Sequence, residues 1–195
     1  MPGTCCEAGP VLTFFKVTEM GVLILTGMPG AGKEELVSVA LEMGYQVRRM
    51  GDVVRAEASK KGIPPQDVGK FAHGERQLHG YDIWAKRIVP LVGDGDTLID
   101  GCRGMSEVNV FRAAFGDHVK VVAVHSSPST RYPRLVNRGR SDAPRDRQEF
   151  DERDKRELSW GLGETIALAD TLIVNESTLE RFRSDAYVVL KELKG

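Results

Sequence analysis

Gly21-Val-Leu-Ile-Leu-Thr26, followed without interruption by Gly27-Met28-Pro29-Gly30-Ala31-Gly32-Lys33, is the stretch on which the reading of this chain turns. Its first half is a continuous apolar run of the kind expected for a strand buried on both faces of a parallel sheet. The run stops at a glycine-rich turn. Beyond the turn Leu36, Val39, Ala40 and Met43 recur at helical spacing, and Gly44 stands where a left-handed helix C-cap belongs. Strand, glycine loop and helix in that order fit G-x-x-x-x-G-K, a loop whose backbone N–H groups can wrap a phosphate while the lysine reaches its oxygens.

Outward from this unit the alternation continues. A strand is predicted near Tyr45–Met50, helical stretches through Asp52–Lys61 and Pro65–Leu91, and a strand at Thr97–Asp100. A helix over Ser106–Phe115, with Val108, Phe111 and Phe115 on one face, precedes the apolar strand Val119–His125. Ser127-Pro128 reads as an N-cap and a first-turn proline, Thr171–Val174 as a buried last strand, and Ser177-Thr-Leu-Glu180 as a capping box opening a closing helix along Leu179, Phe182, Ala186 and Val189. Sequential strands and helices predict an α/β fold with a five-stranded parallel sheet.

The chain has 195 residues, 41% of them hydrophobic, enough for one domain with its own core. Its net charge of −1 offers no global excess for nucleic acid or an anionic membrane, so any phosphate chemistry must be local. Neither is expected as a partner. Cys5, Cys6 and Cys102 form an odd set without metal-ligand spacing, which points to a reducing compartment, the cytoplasm. No apolar run is long enough to span a bilayer, and residues 1–19 lack the basic leader and cleavage site of a signal peptide. They are expected to be either a disordered N-terminal tail or an over-extended start, ahead of one domain over 20–195.

One segment departs from the alternation. From Arg138 to Glu157 fourteen of twenty residues are charged, seven of each sign, so the stretch is expected to project into solvent as a mobile flap. Glu149, Asp151 and Glu152 precede Arg153, Lys155 and Arg156 by four residues, the spacing that supports an exposed helix.

The chemistry-bearing residues fall at strand ends. After Lys33 the hydroxyl that usually ligates magnesium is replaced by Glu34, with Glu35 next; both are expected to face outward on the first helical turn, where the dipole favours negative charge. Magnesium would then rest on phosphate oxygens, water and another acid. Asp100 is that candidate, at the C-terminal end of its strand, where open α/β sheets bind ligands; the alternative is a turn-capping aspartate. Gly101-Cys102-Arg103-Gly104 sets a guanidinium beside it. Asp52 and Arg55 read bare as a helix N-cap and a solvated helical residue.

Taken together, Gly-x-Pro-Gly-x-Gly-Lys, then Gly51-Asp52-Val-Val-Arg55, then Asp100-Gly-Cys-Arg103, then an arginine-rich segment, resemble adenylate kinase and its CMP kinase and dephospho-coenzyme-A kinase relatives. From Met20 onward the chain more closely resembles the archaeal family of adenylate-kinase-related P-loop proteins. The resemblance implies a three-layer α/β/α P-loop fold with a helical nucleoside-monophosphate-binding insertion, about residues 52–92, and an arginine-rich lid, about 138–157. It implies ATP on Gly27, Met28, Pro29, Gly30, Ala31, Gly32, Lys33 and Glu34. The acceptor would lie on Asp52, Arg55 and Arg103, and Mg²⁺ on Asp100, directly or through water. Arg134, Arg138, Arg140 and Arg153 would be lid residues, and Lys33, Arg103 and Arg138 would carry the transfer. Arg131 and Arg156 lie in the same segment, with Arg134 and Arg138 favoured because Arg153 and Arg156 have helical acid partners. His73, His79 and His125 are assigned no role.

The activity implied is transfer of the ATP γ-phosphoryl group to a nucleotide, most simply a nucleoside monophosphate such as AMP. Two alternatives stay open: a hydroxyl acceptor, as in dephospho-coenzyme-A kinase, and an ATP-binding switch or slow hydrolase, which the missing hydroxyl after Lys33 motivates.

Overall fold

The computed structural model describes residues 21–139 and 143–194; the expected tail over residues 1–19, and Arg140 of the expected lid, lie outside them. Five strands, β1 (Val22–Thr26), β2 (Gln46–Arg49), β3 (Thr97–Asp100), β4 (Val119–His125) and β5 (Thr171–Val174), form one parallel sheet in the order β2-β3-β1-β4-β5. The apolar run of β1 is explained by its central place. Leu23 and Leu25 point into one core, with Leu36 and Ala40 of α1 (Lys33–Glu42) and Phe182, Ala186 and Leu190 of α9 (Leu179–Glu192). Val22 and Ile24 point into the other, beneath α4 (Ile83–Ile88) and α5 (Met105–Phe115), with Trp84, Ile88, Val108 and Phe111. Helices on both faces of a parallel sheet make the three-layer α/β/α arrangement.

Register decides where chemistry can occur. Leu25 pairs with Asp100 across β1 and β3, and Arg49 pairs with Asp100 across β2 and β3, so Thr26, Arg49 and Asp100 finish together at one edge of the sheet. The chain passes from β1 out to β2, returns through β3 and crosses to β4, which makes the C-terminal end of β1 the switch point where such sheets hold ligands.

Several expectations change. α2 (Met50–Lys60) begins directly after β2 with Arg49 at its N-cap position, so Asp52 lies within the first turn instead of capping it. The stretch from Pro65 to Leu91 is broken into a 3₁₀ turn (Pro65–Asp67), α3 (Val68–His79), α4 and a second 3₁₀ turn (Val89–Leu91), with Gly80 at φ +97° ending α3. The closing helix is capped by Thr178, whose hydroxyl accepts from Arg181 N–H, one residue later than Ser177. Its buried face is Phe182, Ala186 and Leu190, and Leu179 is exposed. β5 is an edge strand in which Ile173 is buried while Leu172 and Val174 are exposed. Ser127 caps α6 (Pro128–Asn137) as predicted.

The charged segment does not simply project into solvent. α7 (Arg147–Ser159) buries Phe150 completely, between the guanidinium groups of Arg131 at 5.0 Å and Arg147 at 4.9 Å and edge-on to Tyr132. Glu157 is buried too. On its outer side Glu149 engages Arg145 and Asp151 engages Arg147, so these acids reach toward the helix N-terminus. α8 (Leu162–Ala167) then leads to β5. Among the described residues no helix is long and apolar enough to cross a membrane.

Candidate active site

The loop between β1 and α1 takes its shape from glycine. Gly32 sits at φ +107°, and a Cβ there would run into Asn175 Nδ2, which donates to Ala31 O at 2.9 Å. Gly44 has φ +86° and open space around it. Gly32→Ala is therefore expected to destabilise by about 2 kcal/mol or more, and Gly44→Ala by about 1 kcal/mol, since both meet backbone strain and only the first meets a clash. Urea unfolding of the two variants checks this.

Around the loop a web of polar contacts holds the backbone. Ser126 Oγ lies 3.2 Å from Ala31 O and 2.7 Å from Asn175 O. Arg134 donates to Ser126 Oγ at 3.1 Å and to Asn175 O at 3.2 Å. Arg131, buried, donates to Pro29 O at 3.2 Å and Ser126 O at 3.0 Å, and it grips both carboxylate oxygens of Asp154 on α7. One guanidinium thus joins the glycine loop to α7, a link invisible in the sequence because Arg131 and Asp154 lie 23 residues apart and on different helices.

A cleft of about 380 Å³ opens over this edge. Gly27, Pro29, Gly30, Gly32, Lys33 and Glu34 line it from the loop, and Asp100 and Arg103 from the end of β3. Arg134 on α6, Arg138 just beyond it and Arg153 on α7 also line it, together with Glu35 and Glu157. Met28 and Ala31 are buried beneath the loop. Asp52 and Arg55 are not among the lining residues; they pair with each other at 2.5 Å on the exposed face of α2. His125 is exposed at the end of β4, His73 packs near Trp160, and His79 sits 4.0 Å from Glu75.

Charge in the cleft is tightly held. Lys33 Nζ donates to Gly27 O at 2.6 Å and Met28 O at 3.1 Å. Burial lowers its pKa from 10.5 to about 8, Asp100 and Glu157 acting against the shift and Arg103 and Arg153 with it. Burial also raises the Asp100 carboxyl above its ordinary value, opposed by Lys33 and Arg49. Asp100 Oδ1 is buried and has no hydrogen-bond partner among the described residues. An orphaned carboxylate oxygen at a ligand-binding sheet edge fits a hard divalent cation. Among the described residues no three His, Cys, Asp or Glu side chains converge, so a cation here would take most of its shell from ligand oxygens and water.

Arg103 is oriented from several sides. Its N–H donates to Glu107 Oε2 at 2.7 Å, its Nε lies 3.2 Å from Glu157, and its guanidinium stacks 4.8 Å from the Trp160 ring. Glu107 also holds Arg76, buried on α3 and 5.6 Å from the same ring. Cys102 is buried, and burial pushes its thiol well above the ordinary value, so it is a packing residue. Sequence reasoning missed Glu157, Trp160 and Arg49; the last engages both Glu34 and Asp100.

Comparison with known proteins fits this geometry. Residues 26–151 match the AAA domain family. A UPF0200 protein of Thermoplasma acidophilum is 45% identical over 174 residues, which cover 88% of this chain and 96% of that protein. Its counterpart in Pyrococcus abyssi is 39% identical over 88% of this chain and 96% of the relative. The chain belongs to the UPF0200 family. Of solved structures, a gluconokinase from Sinorhizobium meliloti matches the UPF0200 chain with a TM-score of 0.62 at 15% identity, over 90% of this chain and 94% of that one. A shikimate kinase from Acinetobacter baumannii gives a TM-score of 0.61 at 14% identity, with the same coverage. At that identity the likeness is one of fold: this UPF0200 protein shares its three-layer α/β/α arrangement with those two structures.

Proposed function

We propose that this chain is an ATP-dependent phosphotransferase that passes the γ-phosphoryl group to a nucleotide, most simply a nucleoside monophosphate such as AMP. The observation that carries the reading is the convergence of Lys33, Asp100, Arg103, Arg134, Arg138 and Arg153 on one cleft at the switch point of the sheet. A nucleotide phosphate is an anionic nucleophile at neutral pH, so the protein need only position it, neutralise charge and exclude water. In this reading the loop amides and Lys33 hold the ATP phosphates, Arg103 and Arg138 neutralise the transferring group, Arg153 belongs to the lid over about 138–157, and Arg134 on α6 leads into it. Asp100 would hold Mg²⁺, which when bound neutralises phosphate oxygens and orients them. The helices over 52–92 would receive the acceptor.

Coupled ADP release with AMP, CMP and dephospho-coenzyme A as acceptors tests the reading, with stimulation by a monophosphate the expected result. Tight nucleotide binding with slow hydrolysis and no acceptor stimulation would point instead to a switch. Arg55 is the outlying member of the acceptor set. If it grips the acceptor, Arg55→Ala raises acceptor KM about tenfold, the worth of one charge-assisted hydrogen bond, at unchanged kcat. An unchanged KM removes Arg55 from the site.

A hydroxyl acceptor is favoured by one observation, the buried carboxylate of Glu157 in the cleft, which could take a proton. It requires kcat to follow one ionising carboxylate; a flat acid limb defeats it.

A further inference from the structure

The residue after the P-loop lysine holds a guanidinium. Glu34 accepts from Arg49 twice, Oε2 from Nη1 at 2.9 Å and Oε1 from Nη2 at 2.6 Å. The same Nη1 lies 3.4 Å from Asp100 Oδ2, a much weaker contact, while Asp100 Oδ1 stays buried without a partner. Arg49 is the last residue of β2 and stands in register with Asp100 on β3, so this cation faces that carboxylate whatever Glu34 does. One guanidinium is shared between two carboxylates, and the sharing is unequal.

We infer that Glu34 is a positioning residue for the metal site: by holding Arg49 in a two-point clamp it draws that cation off Asp100 and leaves Asp100 available to a divalent cation. The inference rests on the phosphotransferase reading and explains why a carboxylate can stand where a hydroxyl is usual. A guanidinium pairs with a carboxylate through two parallel hydrogen bonds, and its Nη1/Nη2 edge, the one Glu34 occupies, can close such a fork on only one carboxylate at a time. Without Glu34, Arg49 would close its fork on Asp100, occupying the oxygens a metal needs and placing a positive charge beside it. Glu34 thus acts on the metal through Arg49, with no bond of its own to the ion.

Mn²⁺ binding followed by EPR, on the full chain saturated with a non-hydrolysable ATP analogue, tests this without turnover. Glu34→Ala is expected to weaken Mn²⁺ binding about tenfold or more, the usual cost of losing an outer-shell partner. Arg49→Ala should bind Mn²⁺ as tightly as wild type or more so, and Glu34→Ala/Arg49→Ala should return to the Arg49→Ala value, since the cation to be restrained is gone. Glu34→Gln, closer in shape, should repeat the Glu34→Ala loss and guards against misfolding. A loss that persists in the double variant would make Glu34 itself a ligand and overturn the inference, as would four equal affinities. If the wild-type chain binds neither analogue nor Mn²⁺, the phosphotransferase reading falls and takes this inference with it; normal wild-type binding with equal variants removes this inference alone.

Discussion

Lys33→Met is expected to lower kcat for phosphoryl transfer by on the order of 10³ while leaving the protein folded and, near neutral pH, no less stable. The loss follows from position. Lys33 opens α1 at the base of the cleft, and its ammonium now rests on the carbonyls of Gly27 and Met28, which it would exchange for phosphate oxygens. The stability follows from burial, which lowers the lysine from 10.5 to about 8. Between those two values the unfolded chain holds a proton that the folded chain has released, so the contribution of this group rises with pH across that window. Below about 8 the fold carries the whole cost of charging a buried amine. Methionine keeps the apolar stem and removes that cost. The wild-type kcat/KM, which reports the free enzyme, should accordingly fall as pH rises through about 8. Thermal unfolding beside steady-state kinetics checks both halves.

Asp100→Asn is the second large effect. Activity is expected to fall by about 10² or more, with the Mg²⁺ concentration for half-maximal rate displaced upward, because Asp100 supplies the orphaned oxygen proposed to hold the metal. Stability near neutral pH is expected not to fall. Burial raises this carboxyl, so its contribution is largest below the ordinary value of 3.8, declines as pH rises through the raised folded value, and stays low above it. A neutral amide escapes that loss. Lys33 and Asp100 are thus two opposite charges each held at a cost to the fold, as expected of groups kept for binding. Titrating the rate of each protein with Mg²⁺, and melting both at pH 7, separates the metal effect from a general loss of structure.

Much of the fold was legible because its signals are local. β3, β4 and β5 occupy the predicted residues, since an apolar run bounded by turn residues needs only its own sequence to be read. The glycine loop and its flanking strand and helix were equally plain. What was not legible depends on tertiary register. Arg49 reads as an ordinary strand residue until β2 is placed beside β3, and Glu157 reads as one more charge in a charged helix until Phe150 docks that helix on α6 and turns Glu157 toward Arg103. Composition alone put the whole segment in solvent, because counting charges cannot reveal one buried face. Asp52 was misread as a cap because β2 runs into α2 without the turn that a capping residue normally occupies. Ser177 and Thr178 are adjacent hydroxyls, either able to cap, and the second does so.

Isothermal titration of the purified full chain with a non-hydrolysable ATP analogue in the presence of Mg²⁺ tests the central claim most directly. The account predicts saturable binding of one nucleotide per chain, lost in Lys33→Met. No measurable heat with any nucleoside triphosphate and divalent metal, from wild-type protein that melts cooperatively, would contradict it.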